Sequence, residues 1–387
     1  MSKMTKTEIL GKLSRRYASA GAEHKSKLID QAVSLLGYHR KSAIRALNAP
    51  PTPPGRSRPL VRGGRPREYE PQEMLPILRT IWDGASYPCG KRLVAMLPDW
   101  LEGYEQTVRS VSAGVKDQIL AASARTLDRL LEPLRAQRPG RSLTRPGSLL
   151  RQHIPIRGGW QEGKAGWLEV DTVALCGGSV AGDFVWMVDA VDYVTAWVSV
   201  RAIWNRGQES TLQALQNMEQ TLPFALLGLD SDNGGEFINH HVLRWLQQRP
   251  QPVYFTRSRP YKKDDNAHVE QKNWTHIRQW FGYERYGRPE LLEPMNELTR
   301  GPYGQLLNFF HANLKLRDKK LQPDGRLKRR YEPAQTPLAR VLASPEVSGP
   351  TKAELQRQKS RLNPFDLKRE VDRRLKEIHR LRCKIQN

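Results

Sequence analysis

A chain of 387 residues with 38% hydrophobic and 27% charged residues holds enough apolar material for two or three buried cores, and its net charge is +23. No stretch approaches the roughly 18–20 consecutive apolar residues that a membrane span needs. The segment Met1–Lys6 lacks the apolar core of a secretory signal, and the widely spaced Cys89, Cys176 and Cys383 exclude a disulfide framework or a CxxC zinc module. These features lead to the expectation of a soluble protein of a reducing, cytoplasmic compartment.

The charge is unevenly distributed: residues 1–150 carry +13, residues 151–300 carry −2 and residues 301–387 carry +12. Basic flanks suit a polyanion, whose counterions are released when Lys and Arg take their place. A near-neutral middle is what a metal-dependent nuclease requires, since it must keep carboxylates inside a nucleic-acid-binding protein.

In chain order, residues 6–48 predict three short helices. Apolar residues recur at helical spacing from Lys27 to Leu36, Gly37 supplies a stop, and a short basic helix follows through Arg40, Lys41 and Arg45. Helix, glycine turn and basic helix is the helix-turn-helix layout, with the second helix in the major groove and Arg40, Lys41 and Arg45 as its DNA contacts. A solvated basic face is the alternative. A Pro/Arg-rich linker occupies 51–68, a second helical set of the same character covers 69–137, and another Arg/Pro/Gly linker covers 138–159.

Composition changes at residue 160: eight of the ten tryptophans lie between 160 and 280. Strand-like runs at 166–175, 184–191 and 193–202 precede a helix at 209–222. A strand at 225–229, a helix at 237–247, a strand at 253–256 and a helix at 266–281 complete the segment. Three strands, helix, strand, helix, strand, helix predicts an α/β fold with a mixed five-stranded sheet, which is the ribonuclease H-like order. This core is assigned to 160–290. A basic β/α region at 291–345, with a small barrel as one form it could take, and C-terminal helices at 346–387 follow. In the last segment Leu367, Val371, Leu375 and Ile378 form an apolar stripe suited to a coiled coil or a lid.

Phosphodiester chemistry needs charge stabilisation at the attacking and leaving oxygens, and hard divalent cations held by carboxylates supply it. Acids at strand ends are therefore the candidates. Glu169 and Asp171 share one side of a strand, so alternation does not choose between them; Asp230 and Asp232 pose the same question. Glu270, Asn273, Trp274 and Ile277 fall at i, i+3, i+4 and i+7, one helical stripe expected to face the sheet, and a buried acid there needs a partner or a metal. His268 and His276 lack companions for a zinc site, and His240-His241 reads as an exposed pair. Tyr261, Lys262 and Lys263 suit a DNA-phosphate clamp, extended by Lys272, Asn273, Arg278 and Arg285.

Asp232-Asn233-Gly234-Gly235-Glu236-Phe237 resembles the second-aspartate motif of the integrase catalytic core shared by retroviral integrases and many bacterial insertion-sequence transposases. Leu168-Glu169-Val170-Asp171-Thr172 is similar to that family's first catalytic strand, and this likeness selects Asp171. The segment Asp265–Trp274, with Val269-Glu270-Gln271-Lys272-Asn273 on a helix, resembles its glutamate motif. Gly282-Tyr283-Glu284-Arg285, Asn308-Phe309-Phe310, Lys328-Arg329-Arg330-Tyr331 and Thr336-Pro337-Leu338-Ala339-Arg340 are similar to one bacterial branch, so the likeness spans residues 160–345. It departs in two places. Between Asp232 and Glu270 lie 37 residues, two more than in the retroviral type, whose spacing would fall on His268. The N-terminus also lacks the paired His and Cys of the retroviral zinc domain, and the helix-turn-helix reading stands in its place.

The resemblance implies a DDE transposase in which Asp171, Asp232 and Glu270 hold two Mg²⁺ or Mn²⁺ ions. Its expected partners are double-stranded DNA (element ends and target), further copies of itself on that DNA, and in some systems an accessory ATPase, with no membrane and with residence at the bacterial nucleoid. Two rival readings are a DNA-binding regulator with an inactive core and a nuclease acting on RNA–DNA hybrids.

Overall fold

The computed structural model describes residues 3–49, 69, 71–136, 164–231, 237, 240–251, 253–257, 273–321 and 327–384. It divides into two compact units, Met1–Pro66 and Arg67–Asn387.

In the first unit, α1 (Lys3–Ser19), α2 (Ala22–Leu36) and α3 (Arg40–Leu47) enclose a small core of Leu13, Tyr17, Leu28, Ile29, Ala32, Ala43 and Leu47. Gly37 ends α2 in the left-handed region (φ 69°), and its N–H reaches the Val33 carbonyl at 3.0 Å. A residue with a Cβ is strained in that conformation, which is why glycine terminates helices this way. The reversal brings α3 back against both other helices. Arg40 is tied to α2 through Asp30 and Ser26, whereas Lys41 and Arg45 lie on the exposed side of α3.

The second unit is built on a five-stranded sheet in the order β3-β2-β1-β4-β5. Strands β1 (Trp167–Ala174), β2 (Val185–Asp192) and β3 (Val198–Trp204) run antiparallel, while β4 (Gly228–Ser231) and β5 (Tyr254–Arg257) are parallel to β1. This is the ribonuclease H-like arrangement expected from the order of elements. Helix α8 (Gln208–Glu219) and then α9 (His240–Gln247) provide the crossovers that parallel strands require. The third strand starts five residues later than the apolar pattern suggests. The buried Asp192 carboxylate accepts from the N–H groups of Val194 and Thr195 and from the Thr195 hydroxyl, which folds Tyr193–Trp197 into a turn.

Two asparagines close the β3 edge of the sheet. Asn296 accepts from the Ala202 N–H and donates to its carbonyl; Asn308 does the same at Val198. Each side chain imitates a strand partner and blunts an edge that would otherwise invite pairing with another chain. At the other side of the sheet, Trp167 lies across Gly228 and stacks on Tyr254, ring centroids 5.6 Å apart.

Helices α4 (Pro71–Gly84), α5 (Gly90–Thr107), α6 (Ala113–Ala121) and α7 (Ala124–Ala136) do not form a separate unit, contrary to the division expected at 69–137. Their apolar faces join the core of the sheet and the C-terminal helices. The Trp100 indole N–H donates to the Phe310 carbonyl at 3.2 Å, and Lys359 pairs with Asp99 at 2.9 Å. The expected small barrel at 291–345 is, among the described residues, a two-stranded antiparallel pair, β6 (Leu316–Leu321) and β7 (Leu327–Tyr331), accompanied by helices. Two strands cannot close on themselves. The final helix, Pro364–Lys384, buries Leu367, Val371, Leu375 and Ile378 against this same core, so the stripe acts as a lid rather than a coiled-coil seam.

Candidate active site

Strand β1 is central, and its alternation sets Trp167, Glu169, Asp171 and Val173 on one face. Burial separates the two acids. Glu169 is 4% exposed and sits near the Lys315 ammonium, whereas Asp171 is half-buried and reaches solvent. Asp230, the register partner of Glu169 on β4, is fully buried and accepts from the Thr256 hydroxyl at 2.6 Å. Of these three strand acids, Asp171 is the least buried.

Asp171 is held on two sides. Its own strand supplies the Thr172 N–H at 2.8 Å, and Asn273 donates its amide to the other oxygen at 2.7 Å. One helical turn after Asn273, the His276 ring meets Asp189 at 3.0 Å. Asp189 is the cross-strand partner of Asp171 and is wholly buried. Thus the segment beginning at Asn273 crosses the sheet with two contacts three residues apart, one to each of two neighbouring acids. The Tyr303 hydroxyl donates to the His276 carbonyl and fixes this turn from above; burial, with Asp189 nearby, pushes the Tyr303 phenol well up.

The turn is not an ordinary α-helix. Trp274–Arg278 is π-helical and runs into a short α-turn, Gln279–Phe281. The wider i→i+5 turn shifts which side chains face inward. His276 and Ile277 are buried, while Trp274, expected on the sheet-facing stripe, is turned out and 45% exposed. The Asp189–His276 pair went unnoticed in the sequence, although an acid in the middle of the apolar run Val185–Val191 was its signal.

Several expected DNA contacts have structural duties. Arg278 donates to the Ala174 carbonyl at the end of β1 (2.7 Å) and lies over the Tyr283 ring. Arg285 donates to the carbonyls of Cys176, Ser179, Ala181 and Asp183 and so ties down the β1–β2 loop. Asn273 is directed at Asp171 rather than outward. His240 and His241 are exposed at the start of α9, as expected. Asp232, Glu270, Tyr261, Lys262, Lys263, Lys272 and His268 lie outside the described residues, among which no group of three metal-ligating side chains occurs.

The uncharacterized protein y4rM of Sinorhizobium fredii (strain NBRC 101917 / NGR234) is 34% identical to this chain over 347 residues, covering 88% of this chain and 96% of that protein. The chain belongs to the y4rM family. No family model matches it. Among solved structures, part of the chain is similar to the catalytic core domain of BIV integrase, with 15% identity and a TM-score of 0.27 over 45% of this chain and 91% of that one. It is also similar to the HTLV-2 integrase catalytic core domain, solved in complex with magnesium, with 15% identity and a TM-score of 0.29 over 43% of this chain and 95% of that one. No described helix in this y4rM relative is long and apolar enough to cross a membrane.

Proposed function

We propose that this y4rM-family protein is a DNA transposase, a polynucleotidyl transferase that cuts DNA at element ends and joins the freed 3′ end to target DNA. The observation that carries the reading is Asp171: a half-buried carboxylate on the central strand, braced by Asn273, on a strand that pairs with β4 up to Val170–Ser231. In the sequence, Asp232 directly follows Ser231, the last residue of β4. Glu270 precedes by three residues the Asn273 that touches Asp171.

The donor set fits hard divalent cations. Three carboxylates would supply the oxygen ligands that Mg²⁺ or Mn²⁺ prefers, and of the strand acids Asp171 is less buried than Glu169 and Asp230. When bound, a pair of such ions neutralises charge on the attacking and leaving oxygens. The protein's part is positioning: Asn273 and the Thr172 N–H orient the Asp171 carboxylate, and Asp189–His276 clamps the π turn to the sheet. The first unit, with Lys41 and Arg45 exposed on α3, and the basic flanks would hold the duplex, and joining two ends calls for at least two copies on DNA. Lys262, Lys263 and Tyr261 remain the proposed phosphate clamp.

The test is incubation of the full chain with duplexes carrying the sequences that flank its gene, with and without Mg²⁺. Metal-dependent nicking followed by strand joining is expected. Binding without cleavage would instead indicate a regulator, and cleavage restricted to RNA–DNA hybrids a ribonuclease.

A further inference from the structure

The π turn produces an exposed aromatic surface beside the candidate active site. Trp274, 45% exposed, and Tyr283, 61% exposed, approach with ring centroids 6.2 Å apart and planes tilted by 34°. The Arg278 guanidinium lies over the Tyr283 ring at 4.9 Å, adding a cation to the same patch. The neighbouring carboxylate of Glu284 is engaged by Arg382, so its charge is offset. Trp274 directly follows Asn273, whose amide is bonded to Asp171.

An exposed Trp–Tyr pair adds little to the core, which Ile277 in the π turn and Trp280 in the following α-turn serve instead. Flat aromatic faces backed by a guanidinium are the chemistry that receives unpaired nucleobases: every base has a π-face, and the cation suits its phosphate. Paired bases are already stacked within the duplex and gain nothing from such a surface.

We propose that Trp274 and Tyr283, with Arg278, form a stacking platform for an unpaired nucleotide of a DNA strand entering the active site. The proposal rests on the reading of this chain as a DNA-cutting and DNA-joining enzyme and adds a substrate feature to it: the DNA is frayed or single-stranded next to the scissile bond. Arg278 is held by the Ala174 and Gly282 carbonyls, so the platform is pre-formed on the end of β1.

The test uses the full chain in EDTA at low salt, so that binding alone is read. The probe is a short DNA duplex with a single-stranded 3′ extension carrying 2-aminopurine at its first unpaired position; the comparison is the same duplex fully paired. The wild type should quench the extended probe and bind it about tenfold or more tightly than the paired one. Trp274→Ala and Tyr283→Ala should lose both effects, and Trp274→Phe should retain most of the quenching. Unchanged denaturation midpoints for these exposed positions would show that the fold is intact. Equal binding of extended and paired probes, or quenching that survives both alanine changes, overturns the platform. Asp171→Asn should quench normally, so loss of cleavage by that variant speaks to the catalytic reading alone. Absence of cleavage by a wild type that still quenches through Trp274 would overturn the catalytic reading and leave the platform standing.

Discussion

His311 offers the sharpest stability test of the shared core. It is 7% exposed, sits between Trp100 and Trp280 with ring centroids at 6.2 and 6.3 Å, and its Nε2 has no hydrogen-bond partner among the described residues. Burial, then the nearby charges of Arg92, Lys368 and His276, push its pKa down to about 3 from an ordinary 6.5. The folded state therefore keeps the ring neutral where the unfolded chain would protonate it. Stability from this group is fully present above pH 6.5 and is lost as the pH falls toward the folded value. At pH about 5 the loss amounts to about 2 kcal/mol, from 1.36 kcal/mol per pKa unit. His311→Leu conserves volume and should change stability by less than about 1.5 kcal/mol near pH 7.5. The assay is urea denaturation of both proteins at the two pH values, followed by tryptophan fluorescence. Between them the wild type should lose about 2 kcal/mol more than the variant; all other titrating groups are common to both and cancel. Parallel losses would refute the claim that His311 is buried uncharged.

Other positions give independent tests. Gly228→Ala would bring a Cβ within 2.1 Å of the Trp167 ring, so thermal denaturation should show a lowered midpoint and near-ultraviolet dichroism a lost Trp167–Tyr254 stack. Asn308→Ala strips two hydrogen bonds from the edge of β3, with an expected cost of about 1–3 kcal/mol in urea and concentration-dependent association seen by light scattering. His276→Leu leaves the buried Asp189 without its partner and should cost about 3 kcal/mol or more, part of it recovered by Asp189→Leu in the same chain; equal stability of all three proteins would contradict the bridge.

The succession of strands and crossover helices and the glycine stop at Gly37 were legible because each depends on local sequence pattern. The sheet's ends were not. The pattern of Tyr193–Trp197 alternates like a strand, but the Asp192 carboxylate captures its N–H groups, a competition invisible to hydropathy. Alternation left Asp171 and Glu169 equivalent, since both face the same way; they differ in burial, which depends on tertiary packing that no local pattern records. Trp274 was expected inward because a regular helix was assumed, and a π turn has no sequence pattern that marks it. The 69–137 segment read as independent because its helices are amphipathic. Nothing local reveals that their apolar faces meet Phe310 and the C-terminal helix.

The central claim is that Asp171, Asp232 and Glu270 together support metal-dependent strand transfer. It is tested most directly by measuring Mg²⁺-dependent joining for Asp171→Asn, Asp232→Asn and Glu270→Gln beside Glu169→Gln, Asp230→Asn and Asp264→Asn, with DNA binding by gel shift as the control. The first three should bind DNA yet lose joining by a factor of about a hundred or more, corresponding to about 3 kcal/mol or more of lost transition-state stabilisation. The other three should retain joining or lose it only in proportion to stability. Full joining by Asp171→Asn would contradict the account outright. An active Glu270→Gln beside an inactive change at Asp264 or His268 would show that the third carboxylate was wrongly assigned.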